Sequence, residues 1–180
     1  MCASLIAAQG KNVMGIAPDA RIISVRLGKT EELLWLLAVL GYDGVPNTGD
    51  EADVISRSGG FMYRLNKGAD EGSAFLEYLS TNVSPSTTMI FVSGNDGSGY
   101  GTCNPPSGEH AINVGATYDQ WWNSSPYRGD VTCFSSRGPN ALGQVKPNVL
   151  APGYRTPESL PLWITHSGKA AWDNHGGGTT

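Results

Sequence analysis

The sequence predicts an α/β fold in which helices cover both faces of a mainly parallel sheet. Short apolar segments rich in Val, Ile or Phe end at turn residues, and they alternate along the chain with helix-like stretches. Strands that alternate with helices form parallel sheets, because each helical crossover returns the chain to the end of the sheet at which the previous strand began. The functional loops of such folds gather at the carboxyl ends of the strands.

Five segments have the composition of strands and three have that of helices. The predicted strands are residues 21–27, 53–56, 89–93, 111–116 and 131–134. The predicted helices are residues 2–8, 31–40 and 70–78. Thr30 is a suitable N-cap for the second helix, with Glu31 and Glu32 at its positive end. Two stretches, 118–130 and 155–175, are predicted to be long surface loops.

The bulk properties fit one domain of 180 residues. A formal net charge of -4 without a basic cluster argues against a nucleic-acid partner. The longest apolar run, residues 33–40, is far shorter than the roughly 20 residues of a membrane helix, so no membrane partner is expected. Three cysteines cannot all pair with one another, which argues against a disulfide-stapled mini-protein.

Several motifs follow one another in an order that resembles the subtilisin-like (subtilase) serine proteases. They are Gly15-Ile16-Ala17-Pro18-Asp19-Ala20-Arg21-Ile22, Ala52-Asp53-Val54-Ile55-Ser56, Phe91-Val92-Ser93-Gly94-Asn95-Asp96-Gly97, Ile112-Asn113-Val114-Gly115-Ala116-Thr117, Phe134-Ser135-Ser136-Arg137-Gly138-Pro139-Asn140 and Lys146-Pro147-Asn148-Val149-Leu150-Ala151-Pro152-Gly153. The resemblance spans nearly the whole chain and identifies residues 1–180 as part of a subtilase catalytic domain. It implies a three-layer, doubly wound fold of the subtilisin type, incomplete here, and a serine endopeptidase that acts on peptides or proteins.

The resemblance also implies which catalytic groups this stretch lacks. The family's catalytic Asp and its His-Gly-Thr motif would precede Met1-Cys2-Ala3, so the chain is expected to begin just after that motif. At the other end, Gly178-Thr179-Thr180 matches the family's Gly-Thr-Ser motif, which implies that Thr180 stands at the nucleophile position. A truncation, a substitution and a register shifted by one residue are all open as explanations of the Thr. The β-methyl group of Thr restricts χ1 and would crowd a site shaped for Ser.

The three histidines are the available candidates for a general base. His110, His166 and His175 lie in loop-like contexts, and none is followed by Gly-Thr. They are therefore interpreted as surface or loop residues rather than catalysts, and the segment alone is expected to be inactive.

Asn95 is the candidate for a transition-state donor. It follows an apolar strand and lies between Gly94 and Asp96-Gly97, where the backbone can turn sharply and present the side chain. A neutral amide donates hydrogen bonds without a proton to lose. The resemblance implies that Asn95 is the oxyanion-hole residue, while the residues alone leave a simple tight turn open.

Ser58, Gly59 and Gly60 are the candidates for a peptide-binding edge. The resemblance implies that they lie beside the S1 pocket, with Val92, Ser93 and Gly94 as its facing wall. Glycines let an extended peptide approach the main chain closely and add to it by hydrogen bonds. Gly59 stands where the family usually has a larger apolar residue, and Arg57 is an unusual neighbour, so subsite preference stays open. A plain glycine turn is the alternative.

No spacing of Cys, His or acidic residues indicates a metal site, although the resemblance implies that structural calcium is possible. It also favours a secreted protein and places Cys2 as a small buried residue beneath the catalytic His. Two other functions remain open. One is a non-catalytic subtilase-like domain that binds peptides or serves as a scaffold. The other is a nucleotide or small-molecule binding α/β domain, for which residues 97–101 lack a phosphate-binding pattern.

Overall fold

A computed structural model describes residues 2–11, 14–25, 31–60, 67–118, 129–154, 158–159 and 172–173. Four parallel strands form one sheet in the order β1-β2-β3-β4. They are β1 (Val54–Arg57), β2 (Thr88–Val92), β3 (Ala111–Tyr118) and β4 (Val149–Tyr154). Two short strands, β5 (Glu158–Ser159) and β6 (Trp172–Asp173), pair antiparallel in a second sheet. The predicted α/β class with a parallel sheet is confirmed.

Within these ranges, three α-helices accompany the sheet: α1 (Cys2–Ala7), α2 (Glu31–Leu40) and α3 (Glu71–Tyr78). Asp70 caps α3, because its Oδ1 accepts a hydrogen bond from Ser73 N at 3.0 Å. Its Oδ2 accepts from Gly68 N at 3.0 Å, so the buried carboxylate also holds the turn before the helix. The chain continues from α3 into a π-helical turn, Leu79–Val83, which the sequence pattern did not predict.

The hydrophobic core lies between α2, α3 and one face of the sheet. Trp35 of α2 packs edge-on against Phe91 of β2, with ring centroids 5.4 Å apart. Residues that pair across parallel strands point to the same face, so Ile55, Met89 and Ala111 share that side with Phe91. The buried members of the cluster are Trp35, Val39, Leu76, Leu79, Met89, Phe91 and Ala111.

Two strand predictions are wrong where the structure describes them. Residues 21–25 form no strand, and residues 26–27 lie outside the described part of the chain. An extended segment becomes a strand only when a neighbour satisfies its backbone groups, and none of the described residues pairs with 21–25. Segment 131–134 is reduced to a single antiparallel bridge between Val131 and Thr117, because the following residues turn away to bind the loop after β2.

One strand was missed. β4 contains Pro152 and Gly153 and follows Pro147, residues that ordinarily interrupt strands. Pro is tolerated there because β4 ends the strand order and pairs only with β3 among the described residues. The predicted loop 155–175 contains the small strands β5 and β6. Thr30 and residues 119–128 lie outside the described residues.

None of the described helices is both long and apolar enough to cross a bilayer.

Candidate active site

The candidate residues lie at the carboxyl ends of β1 and β2. Arg57 of β1 pairs with Phe91 of β2, so the chain leaves both strands at the same end of the sheet. Segment 58–60 follows β1, and segment 93–95 follows β2. We call the space between segments 58–60 and 92–94 the cleft. The structure thus brings the predicted binding residues of both segments to the same end of the sheet.

The turn that carries Asn95 is held by the segment that precedes β4. Ser136 N donates a hydrogen bond to Gly94 O at 3.0 Å, and Ser136 Oγ accepts one from Asp96 N at 2.9 Å. Gly97 N donates to Phe134 O at 2.9 Å. Gly94 has a φ of 106°, a conformation that side chains other than glycine rarely adopt. Ser93 and Gly94 are buried, whereas Asn95 is exposed just beyond them.

Thr102 joins the far end of the same loop to Arg137, in the segment that precedes β4 and that we call the brace (residues 134–137). Its hydroxyl lies 2.8 Å from Gly97 O and accepts a hydrogen bond from Arg137 N at 2.9 Å. Cys103 N donates to Arg137 O at 3.0 Å. Ser136 and Arg137 belong to a motif that carried the family resemblance, yet the sequence assigned neither a role. The motif was the only signal, because its hydrogen-bond partners lie up to 40 residues away.

The first wall of the cleft consists of three small residues. Ser58 is exposed, and its Oγ lies 3.3 Å from Cys2 Sγ at the start of α1. A Cβ on Gly59 would meet only the Arg57 side chain, at 3.4 Å, whereas a Cβ on Gly60 would lie 2.9 Å from Pro105 O. Gly60 is therefore confined and Gly59 is not. Cys2 is exposed, which contradicts its predicted burial. The reason is that α1 places it at the rim of the cleft, beside Ser58.

Asn104 lies between the two walls and was not predicted. Its backbone N donates to Ser93 O at 2.7 Å, and its Cβ would be 3.3 Å from a Cβ on Gly60. On the other side, a Cβ on Gly94 would overlap Asn104 Nδ2. Lys67 Nζ approaches Asn104 Oδ1 at 3.4 Å and donates to Thr102 O at 3.2 Å. Sequence patterns offered no signal for this cluster, since α3, the π-helical turn and β2 lie between Lys67 and Asn104.

Burial changes the pKa of two groups, Cys103 in the loop between β2 and β3 and Lys146, which contacts the end of that loop. Desolvation raises the pKa of the Cys103 thiol to about 11, although the nearby ammonium groups of Lys146 and Lys67 oppose the shift. Burial lowers the pKa of Lys146, whose Nζ donates to Gly108 O at 2.7 Å and to Ala111 O at 3.0 Å. These bonds, together with one from Asn113 Nδ2 to Pro106 O at 2.9 Å, hold the loop that carries Asn104 into β3.

The structure does not bring His110 to the cleft. His110 immediately precedes Ala111, the first residue of β3, so it lies at the amino end of the sheet. Its backbone N donates to Glu77 Oε1 at 2.8 Å, and its ring contacts the other carboxylate oxygen of Glu77. Thr180, His166 and His175 lie outside the described residues. Within the ranges that the structure describes, no three His, Cys, Asp or Glu residues are grouped to hold a metal ion.

A family model and three curated proteins are similar to this chain. A model of the Peptidase S8 or Subtilase family matches residues 1–177. Pyrolysin of Pyrococcus furiosus is 32% identical over 174 residues, which cover 84% of this chain and 12% of pyrolysin. Bacillopeptidase F of Bacillus subtilis is 27% identical over 180 residues, covering 91% of this chain and 11% of that protein. Serine protease AprX of the same organism is 29% identical over 167 residues, covering 84% and 36%.

Solved structures support the same fold. Sphericase superimposes with a TM-score of 0.59 at 21% identity, and the S41 psychrophilic protease with a TM-score of 0.55 at 18% identity. Each likeness covers 87% of this chain and 52% of the solved chain. The chain therefore spans about half of these structures and a smaller part of the curated relatives. Because the family model matches nearly every residue, the chain belongs to the subtilase family.

Proposed function

We propose that this chain forms part of the catalytic domain of a subtilisin-like serine endopeptidase and supplies its oxyanion donor and peptide-binding edge. The observation that carries the proposal is the position of Asn95, exposed on a braced turn directly after β2. Segment 58–60 leaves the neighbouring strand at the same end of the sheet. Open α/β sheets bind their ligands in the crevice beyond that end.

Each wall has a distinct task in peptide hydrolysis. Segment 58–60 offers main-chain groups to which an extended peptide adds. Segment 92–94 forms the facing wall, and its small residues let the peptide approach closely. The Asn95 amide then donates to the carbonyl oxygen of the scissile bond as that oxygen gains negative charge. Thr180 occupies the nucleophile position by sequence resemblance and would attack the same carbonyl carbon.

In this proposal, the proton is transferred by groups other than His110. A Ser or Thr hydroxyl is a weak nucleophile without an adjacent base. His110 lies at the opposite end of β3 and is engaged by Glu77, and none of the three histidines of the chain is followed by Gly-Thr. We therefore propose that residues 1–180 contribute substrate binding and electrostatic stabilisation, and that hydrolysis needs the family's Asp and His in addition.

The binding edge is tested with an uncleaved peptide. Acetyl-Ala-Ala-Pro-Leu-amide, titrated into the 15N-labelled chain, should shift the amide signals of Gly59, Gly60 and Gly94. Gly59→Val adds a side chain where only Arg57 is near, so it should leave the fold intact and weaken binding by roughly tenfold through obstruction of the wall. Thr88→Val, an exposed position at the start of β2, serves as the matched control. Shifts confined to the amino end of the sheet would contradict the proposal.

The oxyanion role requires a turnover measurement. In a protein that joins this chain to a complete Asp-His-Ser triad, Asn95→Ala should lower kcat by roughly 10²- to 10³-fold and change KM little, a loss already known for the subtilisin oxyanion asparagine. Asp96→Asn, on the exposed side of the same turn, is the control and should retain turnover within a factor of about three. A KM effect without a kcat effect for Asn95→Ala would argue for a purely structural turn.

A further inference from the structure

The side chain of Asn104 forms the floor of the cleft and determines which polar atoms face it. Its side chain is 5% exposed and lies between Gly60 on one wall and Gly94 on the other. The backbone bond from Asn104 N to Ser93 O fixes its position relative to the second wall. A peptide side chain that enters between segments 58–60 and 92–94 therefore meets the Asn104 amide.

Lys67 decides which atom of that amide faces the cleft. An ammonium group can only donate hydrogen bonds, so the Asn104 atom 3.4 Å from Lys67 Nζ is the acceptor Oδ1. The NH₂ group then points away from Lys67, toward Gly94. No hydrogen bond joins Asn104 Nδ2 to any residue that the structure describes. The floor thus presents a donor without a partner.

The charge behind the floor is positive. Lys67 Nζ contacts two neutral acceptors, Thr102 O at 3.2 Å and Asn104 Oδ1. Among the described residues, no carboxylate forms an ion pair with it. Lys67 is partly buried, so its field is less screened than that of a surface lysine. A donor amide with an ammonium behind it is complementary to an acidic side chain and repels a basic one.

We propose that the cleft selects peptides that carry a carboxylate side chain at the residue entering it. Asn104 Nδ2 donates a hydrogen bond to the carboxylate, and Lys67 supplies the favourable charge. Both are specificity-determining residues rather than catalytic ones. This proposal rests on the proposed function of the two segments as peptide-binding walls.

The test compares peptides that differ in charge at one position. The full chain is titrated with acetyl-Ala-Ala-Pro-X-amide, where X is Glu, Gln or Lys, by NMR at two salt concentrations. The Glu peptide should bind roughly tenfold more tightly than its isostere Gln, and the Lys peptide more weakly than Gln. The advantage of Glu should shrink between about 0.05 M and about 0.5 M salt, because mobile ions screen the interaction.

Two variants assign the effect to Lys67. Lys67→Met should remove the advantage of Glu over Gln, and Lys67→Arg should retain most of it. Lys11→Met is the control, since Lys11 is exposed beyond the far end of α1. The comparison in the unaltered chain needs no variant, so it decides the proposal even where Lys67→Met fails to fold.

The possible outcomes separate the two proposals. Equal binding of all three peptides would overturn the selectivity and leave the peptide-binding function standing. An advantage of Glu that survives in folded Lys67→Met would overturn the role of Lys67. Absence of binding by every peptide would overturn the peptide-binding function and, with it, the selectivity.

Discussion

At the residue scale, the three cysteines differ in burial and therefore in the reactivity of their thiols. Cys2 and Cys133 are exposed, whereas Cys103 is buried beside the cleft floor. The thiolate is the reactive form, and desolvation raises the pKa of Cys103 to about 11. Because Cys103 precedes Asn104 in the chain and is buried, its ionisation is a probe of whether the floor is closed as the structure shows.

Thiol titration checks this directly. At pH 8, a thiol reagent should modify two cysteines of the reduced chain quickly, and the third only after unfolding in denaturant. Cys103→Ala should abolish the slow third reaction and leave the two fast ones. Three equally fast reactions in the folded chain would show that the cleft floor is open to solvent.

The same shift affects stability in alkaline solution. The ordinary pKa of 9.0 applies to the unfolded chain and the value of about 11 to the folded one. Between these pH values the unfolded chain has released the proton that the folded chain retains, so stability falls as pH rises above about 9. Cys103→Ala should lose less stability over this window than the unaltered chain in paired denaturant titrations. Parallel pH profiles would contradict the assignment.

At the element scale, the candidate site depends on a contact between two loops. The turn after β2 is held by residues before β4, and β3 lies between them in the sheet. Ser136 is central, because its backbone N binds Gly94 O and its hydroxyl accepts from Asp96 N.

Ser136→Ala removes the hydroxyl and leaves the backbone bond in place. It should lower the free energy of unfolding by roughly 0.5–1.5 kcal/mol, because a partly buried hydrogen bond is lost and Asp96 N loses its acceptor. Denaturant titration measures the loss, and amide exchange at Asp96 and Gly97 should accelerate. Ser98→Ala, exposed on the same loop, is the control and should change stability by less than about 0.5 kcal/mol. Equal effects of the two substitutions would argue against the brace.

Each of the two outer strands of the sheet exposes a valine, which predicts self-association of the chain. Val54 of β1 is 53% exposed and Val149 of β4 is 49% exposed, although parallel sheets usually have both faces covered. Exposed apolar edges promote association. The chain should therefore self-associate at micromolar concentration, and the double substitution Val54→Lys with Val149→Lys should shift it toward the monomer. Leu37→Lys, equally exposed on α2, is the control. Sedimentation velocity gives the masses, and a strictly monomeric unaltered chain would sink this expectation.

At the scale of the whole molecule, the proposed binding cleft and His110 lie at opposite ends of the sheet. The cleft lies at the carboxyl end of the sheet, and His110 lies at the amino end beside Glu77. Residues 1–180 should therefore show no peptidase activity comparable to that of a complete subtilase, although an oxyanion donor and a binding edge can leave a small rate over water. A peptide anilide assay on exhaustively purified chain measures this. Turnover near that of a competent subtilase, lost in His110→Ala, would place the base at His110 after all.

The sequence by itself determined the local elements and the order of the motifs. The bounds of α2 were predicted as observed, and those of α1, α3, β2 and β3 to within two residues at each end, because capping residues and apolar runs act over short distances. The place of Asn95 directly after a strand was equally readable. These features depend on neighbours within a few residues, which a pattern records.

The tertiary structure decided which extended segments became strands and what lines the cleft. Residues 21–25 have strand composition but no described partner, while β4 forms despite Pro152 because β3 lies beside it. The contacts of Lys67 with Asn104 and of Ser136 with Asp96 join residues 37 and 40 positions apart. Hydrogen bonds of that range depend on where the rest of the chain lies, so only folding reveals that an amide, an ammonium group and two glycines meet at one floor.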